Sequence, residues 1–239
     1  MRSADDEMRT QMPDPVADFF SGWSTYRAVI ESDSMEHTTV YAGVHEILAE
    51  RLEGFTLLDL GCGDSAGTAS ALPGTRIRRY VGVDVAEPAL GFASASLAGF
   101  DFEVDLQVGD ALDTLNSTPE KYDIVLAAFV LHHLDSSSKR RAIDRARQVL
   151  HPGGELILID VVRLDGESRD DYLDRFDGIV QTWQVSDDVR TGVVAHARGY
   201  DFPEEISTEE SWLTELGFSR VEEFYRGAAN TQVGWRASR

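Results

Sequence analysis

An apolar run, Leu57-Leu58-Asp59-Leu60, leads directly into Gly61-Cys62-Gly63-Asp64-Ser65-Ala66-Gly67, and a second apolar run ends in an acid, Asp84, 21 residues after Gly63. Glycines at such a turn let the backbone bend tightly and approach a ligand, and open α/β sheets bind nucleotides beyond the carboxyl end of the first strand. A carboxylate that closes the next strand accepts both hydroxyl protons of a ribose. Gly61-x-Gly63-x-x-Ala66 followed by an acid also matches a dinucleotide fingerprint, or a glycine turn needed only for chain reversal. A second constellation, His132-His133, follows the apolar run at 122–130. Histidine, with an ordinary pKa of about 6.5, takes a proton at neutral pH. The same pair with Asp135 and His196 offers metal-ligand chemistry, but the spacing matches no known ligand signature, so no metal is expected.

These residues need a frame, and the hydropathy pattern supplies one. Phe55–Leu60, Tyr80–Val85, Tyr122–Val130 and Glu155–Val162 read as strands buried on both faces, the pattern of a parallel sheet. Glu103–Val108 alternates strictly, which predicts an edge strand with Val104, Leu106 and Val108 on its packed side. Between them, Met35–Leu52 places Val40, Val44, Ile47 and Leu48 on one helical face, and Pro88–Leu97 and Lys139–Leu150 read as helices. Thr208–Leu216 ends at Gly217, and Val221–Tyr225 with Thr231–Trp235 reads as an antiparallel hairpin. The alternation is that of a doubly wound α/β domain. Residues 1–15 read as a flexible arm and 16–239 as a single domain, with helical lids at 16–53 and 163–206.

Composition narrows the class. The 239 residues carry 22 basic and 42 acidic side chains, a net charge of −20, which argues against nucleic acid or an anionic membrane surface as the partner. Cys62 is the single cysteine, so no disulfide framework forms within the chain and a reducing, cytoplasmic setting is expected. No apolar run approaches the roughly 20 residues of a membrane span, and the first residues show no signal-peptide pattern. A short-chain dehydrogenase would need a Tyr four residues before a Lys. Ser117 precedes Lys121 and Asp135 precedes Lys139, and these are the only lysines.

Five segments in order, Asp59-Leu60-Gly61-Cys62-Gly63, Val83-Asp84, Val108-Gly109-Asp110-Ala111, Val130-Leu131-His132-His133-Leu134 and His151-Pro152-Gly153-Gly154-Glu155-Leu156, resemble the motifs of the class I S-adenosylmethionine-dependent methyltransferases. The resemblance is strongest to the group like the ubiquinone-biosynthesis methyltransferases and covers residues 55–160. Ser65 departs from it, standing where a third glycine is common. The resemblance implies a seven-stranded sheet, mostly parallel with an antiparallel C-terminal strand, and S-adenosylmethionine as cofactor. It implies that Asp84 holds the ribose hydroxyls, that Asp110 and the backbone of Ala111 read the adenine, and that Val85 and Leu112 flank it. Gly61, Cys62 and Gly63, with Asp59 behind them, would face the methionine ammonium group, unless Asp59 merely pins the loop. Ala127 joins the cofactor set, and Arg27 is the candidate partner of the methionine carboxylate.

Methyl transfer from a sulfonium is an in-line displacement, so positioning and water exclusion supply most of the catalysis. A base is needed only where the acceptor must lose a proton, and His132 and His133 are the candidates. Aromatic residues crowd both lids, and Tyr26, His37, Tyr41, Trp183, His196 and Tyr200, with Arg226 near the hairpin, are the candidate substrate residues. The expectation is methyl transfer to nitrogen or oxygen of a small organic molecule by a monomer or homodimer. The alternatives are a cofactor-binding subunit without turnover and another group transfer from S-adenosylmethionine.

Overall fold

The computed structural model describes residues 23–239. The described residues begin with two helices, α1 (Trp23–Glu31) and α2 (His37–Ala49). There follow β1 (Phe55–Leu60), α3 (Ala66–Ala71), β2 (Ile77–Asp84), α4 (Glu87–Leu97), β3 (Glu103–Val108), α5 (Ala111–Ser117) and β4 (Tyr122–Ala128). A 3₁₀ turn, Leu131–His133, leads to α6 (Ser136–Val149) and β5 (Leu150–Arg163). After α7 (Arg169–Val180), α8 (Asp187–Tyr200) and the two-residue β6 (Glu204–Glu205), the chain closes with α9 (Ile206–Glu215), β7 (Arg220–Arg226) and β8 (Gln232–Ser238). The arm at 1–15 and the first residues of the N-terminal lid lie outside the described residues.

The strands pair in the order β3-β2-β1-β4-β5-β8-β7, with β6 beside the end of β5. All pairs from β3 to β5 are parallel, and β8 is antiparallel to both β5 and β7. The seven-stranded doubly wound sheet with an antiparallel C-terminal strand is therefore as expected. Because β1 is followed outward by β2 and β3 on one side and by β4 and β5 on the other, the order reverses between β1 and β4. A crevice opens at such a switch point, beyond the carboxyl ends of the strands.

Period-two alternation decides which residues cover which face. In β5, Leu156 and Leu158 pack with Ala142, Ile143 and Leu213 from α6 and α9, whereas Ile157 and Ile159 pack on the opposite face with Val44 and Leu48 from α2. All four apolar residues expected on the α2 face are buried there. A third cluster joins Val29 of α1 to Tyr172, Phe176, Val180 and Ala197 of α7 and α8. It roofs the carboxyl end of the sheet.

Two expectations need correction. β3 is an edge strand, but Val104 and Val108 are exposed and only Leu106 joins the cluster around Phe100 and Phe102, since this strand has a neighbour on one side alone. β4 stops at Ala128 rather than Val130, because Phe129 takes a left-handed φ of 55° and turns the chain.

Candidate functional site

The switch-point crevice is a cavity of about 370 Å³, walled by the ends of β1, β2, β4 and β5 and roofed by α1, α7 and α8. At one end lies the glycine loop. Gly61 and Gly63 have φ of +65° and +53°, and a Cβ on Gly61 would sit 2.5 Å from Val130 Cγ2. A side chain is thus excluded there by both backbone strain and space. Gly67 is required differently, since a Cβ would lie 2.1 Å from the Tyr41 ring. Ser65, the departure from the usual glycine, also adopts a left-handed φ of 53°. Its hydroxyl is 2.8 Å from Tyr80 Oη, whose own proton goes to Asp59 Oδ2 at 2.7 Å, so Ser65 donates and is held in place.

Asp84 ends β2 beside this loop. Its Oδ2 accepts the Gly63 N–H and its Oδ1 the Ala86 N–H, both at 2.8 Å. The carboxylate is thereby fixed in the cavity wall with lone pairs to spare, and burial raises its pKa from the ordinary value. Val85, Asp110 and Ala111 line the same end, Asp110 also capping α5 through the Asp113 N–H at 2.9 Å. Cys62 lines it as well, its thiol pushed up by burial and by Asp59. A loop that no side chain could fill, and an anchored carboxylate with free lone pairs, fit the ribose and amino-acid ends of an adenosyl cofactor.

Asp59 is not in the wall. It is buried behind the loop, where Oδ2 accepts from Thr68 Oγ1 and Tyr80 Oη, both at 2.7 Å, so it pins the loop. Burial raises its carboxyl to about 6 against the lowering effect of those bonds. A pKa raised on folding means stability present below the unfolded value, near 4, and lost as pH rises through about 6. Asp59→Asn does not titrate, so wild type should lose about 3 kcal/mol relative to this variant between about pH 4 and about pH 7. Urea unfolding of both proteins across that range checks it, and a pH-independent difference would contradict it.

At the other end of the cavity stand His132, His133, His196 and Asp201. His132 Nδ1 lies 2.6 Å from Asp160 Oδ1, and Asp201 Oδ1 is 3.4 Å from His133 Nδ1, 3.6 Å from His196 Nε2 and 3.8 Å from His132 Nε2. Burial pushes His132 down, but Asp160 and Asp201 outweigh it and hold the ring above its ordinary value. Burial lowers His133 and brings His196 to about 4. Asp201 resists its burial because His132 and His133 bring it to about 2. The segment bearing Asp201 is tied down twice: the Phe202 N–H donates to the His132 carbonyl at 2.7 Å, and the buried Lys139 ammonium donates to the Phe202 carbonyl.

Between the two ends the wall is apolar, made by Val29, Ile30, Met35, Phe129, Phe176 and Val193. Tyr26, His37 and Tyr41 border it at the glycine loop. A Cβ on Gly63 would stand 3.7 Å from Tyr26 Oη. Burial brings His37 to about 4, so this ring is neutral at pH 7.

Besides Asp59, six sequence candidates lie outside the wall. Arg27 turns to solvent and pairs with Glu31 at 2.8 Å, one helical turn away, and among the described residues no Lys or Arg lines the cavity. Ala127 and Leu112 pack into the core on the far face of the sheet, and Ala128 takes the place expected of Ala127 because adjacent strand residues face opposite ways. Trp183 is buried in the roof edge-on to Phe176. Tyr200 is exposed, its ring centroid 5.3 Å from that of His196. Arg226 pairs with Glu223 on β7. Asp135, weighed as a ligand, caps α6 through the Ser138 N–H.

A family described as a methyltransferase domain matches residues 58–156. The chain is 28% identical over 154 residues to an uncharacterized methyltransferase of Geobacillus kaustophilus, covering 63% of this chain and 69% of the relative. It is 33% identical over 122 residues to a carboxy-S-adenosyl-L-methionine synthase of Aeromonas salmonicida, covering 49% of this chain and 48% of that one. Among solved structures, the N-methyltransferase NodS of Bradyrhizobium japonicum, in complex with S-adenosyl-L-homocysteine, superposes with a TM-score of 0.56 at 21% identity over 87% of each chain. At that identity the likeness is one of fold.

Proposed function

We propose, from the premise that this chain is a class I S-adenosylmethionine-dependent methyltransferase, that it methylates a nitrogen or oxygen atom of a small organic acceptor. The observation that carries this reading is a single cavity running from the glycine loop and Asp84 to the His133–Asp201 cluster under a helical roof. Bound at the loop, S-adenosylmethionine supplies an electrophilic methyl group on a positively charged sulfur. Asp84 would accept the ribose hydroxyls, Asp110 and Ala111 would meet the adenine edge with Val85 against its face, and the backbone of Gly61, Cys62 and Gly63 would face the methionine end. The buried negative charge of Asp59 and Asp84 favours a cationic ligand.

The roof keeps water out and the apolar wall holds the body of the acceptor, so the acceptor's polar atom is directed toward the histidines. His133 takes the proton that a hydroxyl or protonated amine must lose, Asp201 orients it, and His132 with Asp160 supports the pair. The ubiquinone-like subgroup, a monomeric or homodimeric state, a cytoplasmic setting and the exclusion of nucleic acid belong to the same proposal. No helix of the described residues is long and apolar enough to cross a membrane. Transfer involving a carboxylated cofactor is disfavoured, because its extra negative charge finds no Lys or Arg in the described wall.

Incubation with S-adenosylmethionine and a panel of phenols, carboxylic acids and amines tests the reading. The expected result is S-adenosylhomocysteine formed together with an acceptor heavier by one methylene. Cofactor binding with no turnover across the panel would favour a non-catalytic subunit instead.

A further inference from the structure

Asp201 Oδ1 is buried and has no hydrogen-bond partner among the described residues, yet three imidazole nitrogens surround it at 3.4, 3.6 and 3.8 Å. These separations exceed the roughly 2.7–3.2 Å of an N–H···O hydrogen bond. They match the spacing of ligands around a shared ion, since donors about 2.0–2.1 Å from a tetrahedral cation stand about 3.4 Å apart. The donor atoms of His132, His133 and Asp201 all lie within 4.8 Å of one another. Behind them, the 2.6 Å contact between His132 Nδ1 and Asp160 Oδ1 fixes the ring so that Nε2 points at Asp201. A carboxylate behind a histidine is the usual support of a metal-binding imidazole.

We propose that His132 Nε2, His133 Nδ1 and Asp201 Oδ1 bind one divalent transition-metal ion of the Zn²⁺ type, with His196 Nε2 close by at 3.6 Å from Asp201 Oδ1. Two imidazoles and one carboxylate suit such an ion, whereas Mg²⁺ and Ca²⁺ call for a set of oxygens. The site faces the cavity, so an acceptor hydroxyl can bind the ion and release its proton to solvent more readily. This inference rests on reading the cluster as the acceptor end of the site. The ion and His133 as a base are then two means to the same nucleophile.

Sequence spacing gave no hint of this because Asp201 is 68 residues beyond His133 and reaches it only through the folded lid.

Chelator-treated full-length protein should be titrated with ZnCl₂ by calorimetry, and with CoCl₂ while its visible spectrum is recorded. One Zn²⁺ per chain is expected, with a Co²⁺ band of the intensity that marks four- or five-coordination. Asp201→Asn and His132→Gln should each weaken Zn²⁺ binding at least 100-fold, and Asp160→Asn about 10–100-fold. Equal Zn²⁺ binding by wild type and Asp201→Asn, or the spectrum of hexaaqua Co²⁺ in wild type, would overturn the proposal. The wild-type spectrum decides even if the variants misfold. S-adenosylhomocysteine binding on the same samples separates the readings: metal failure with that binding intact leaves the methyltransferase site standing, whereas loss of both removes it.

Discussion

Asp84→Ala should weaken the binding of S-adenosylhomocysteine by about 100-fold or more, the largest effect on affinity expected of any single change in this site. Two contributions add. Hydrogen bonds to a charged group are worth about 1.5–3 kcal/mol each, and the carboxylate is assigned two from the ribose. The same group receives the Gly63 and Ala86 amides, so its loss also releases the loop that must face the methionine end. Asp84→Asn keeps an acceptor but loses the charge and should fall between. Isothermal titration of the three proteins checks the order. Unchanged affinity in Asp84→Ala would mean that the end of β2 does not touch the cofactor.

His133→Ala should lower turnover by about 10²–10⁴-fold with an acceptor that must lose a proton, the range general acid–base groups supply. Its affinity for S-adenosylhomocysteine should stay within about twofold, because His133 stands across the cavity from the glycine loop. Asp201→Asn should follow it in direction, since Asp201 lies 3.4 Å from the same ring. Steady-state kinetics beside a binding titration separate the two effects. Full turnover in His133→Ala, or a parallel loss of cofactor affinity, would contradict placing the acceptor at the histidines.

Much of the cofactor end was legible because it is local. The glycine turn, the acid closing β2 and the turn after β3 each lie within a few residues of a strand end, and parallel pairing brings strand ends together without further information. The acceptor end was legible only in His132, His133 and His196. Asp201, Phe176 and Val193 reach it on α7, α8 and the segment after them, and their arrival depends on how the roof packs rather than on any spacing. The misplaced Trp183 lies beyond the end of α7 at Val180, where no helical phase applies: Phe176 lines the cavity from within the helix, while Trp183 follows the turn and packs edge-on behind it.

Arg27 turns away from the cavity for a related reason. It lies one helical turn from Glu31, and a partner on its own helix outcompetes a cavity on the other side of α1. Lys139 is a residue whose burial no sequence pattern marks. It lies in the polar stretch Ser136-Ser137-Ser138-Lys139-Arg140-Arg141 and is buried, with Glu204 at 3.6 Å and the Phe202 carbonyl as acceptor. Only the tertiary contact between α6 and the segment before α9 makes that burial tolerable, because a buried ammonium needs both charge and hydrogen-bond partners.

The central claim is that the crevice at the β1–β4 switch point is built for S-adenosylmethionine and its product. Calorimetric titration of the purified protein with S-adenosylhomocysteine, with NAD as the control ligand, tests it most directly. The account predicts one micromolar site for S-adenosylhomocysteine and no heat from NAD. Binding of NAD alone would contradict it, and the glycine loop would then belong to a dinucleotide.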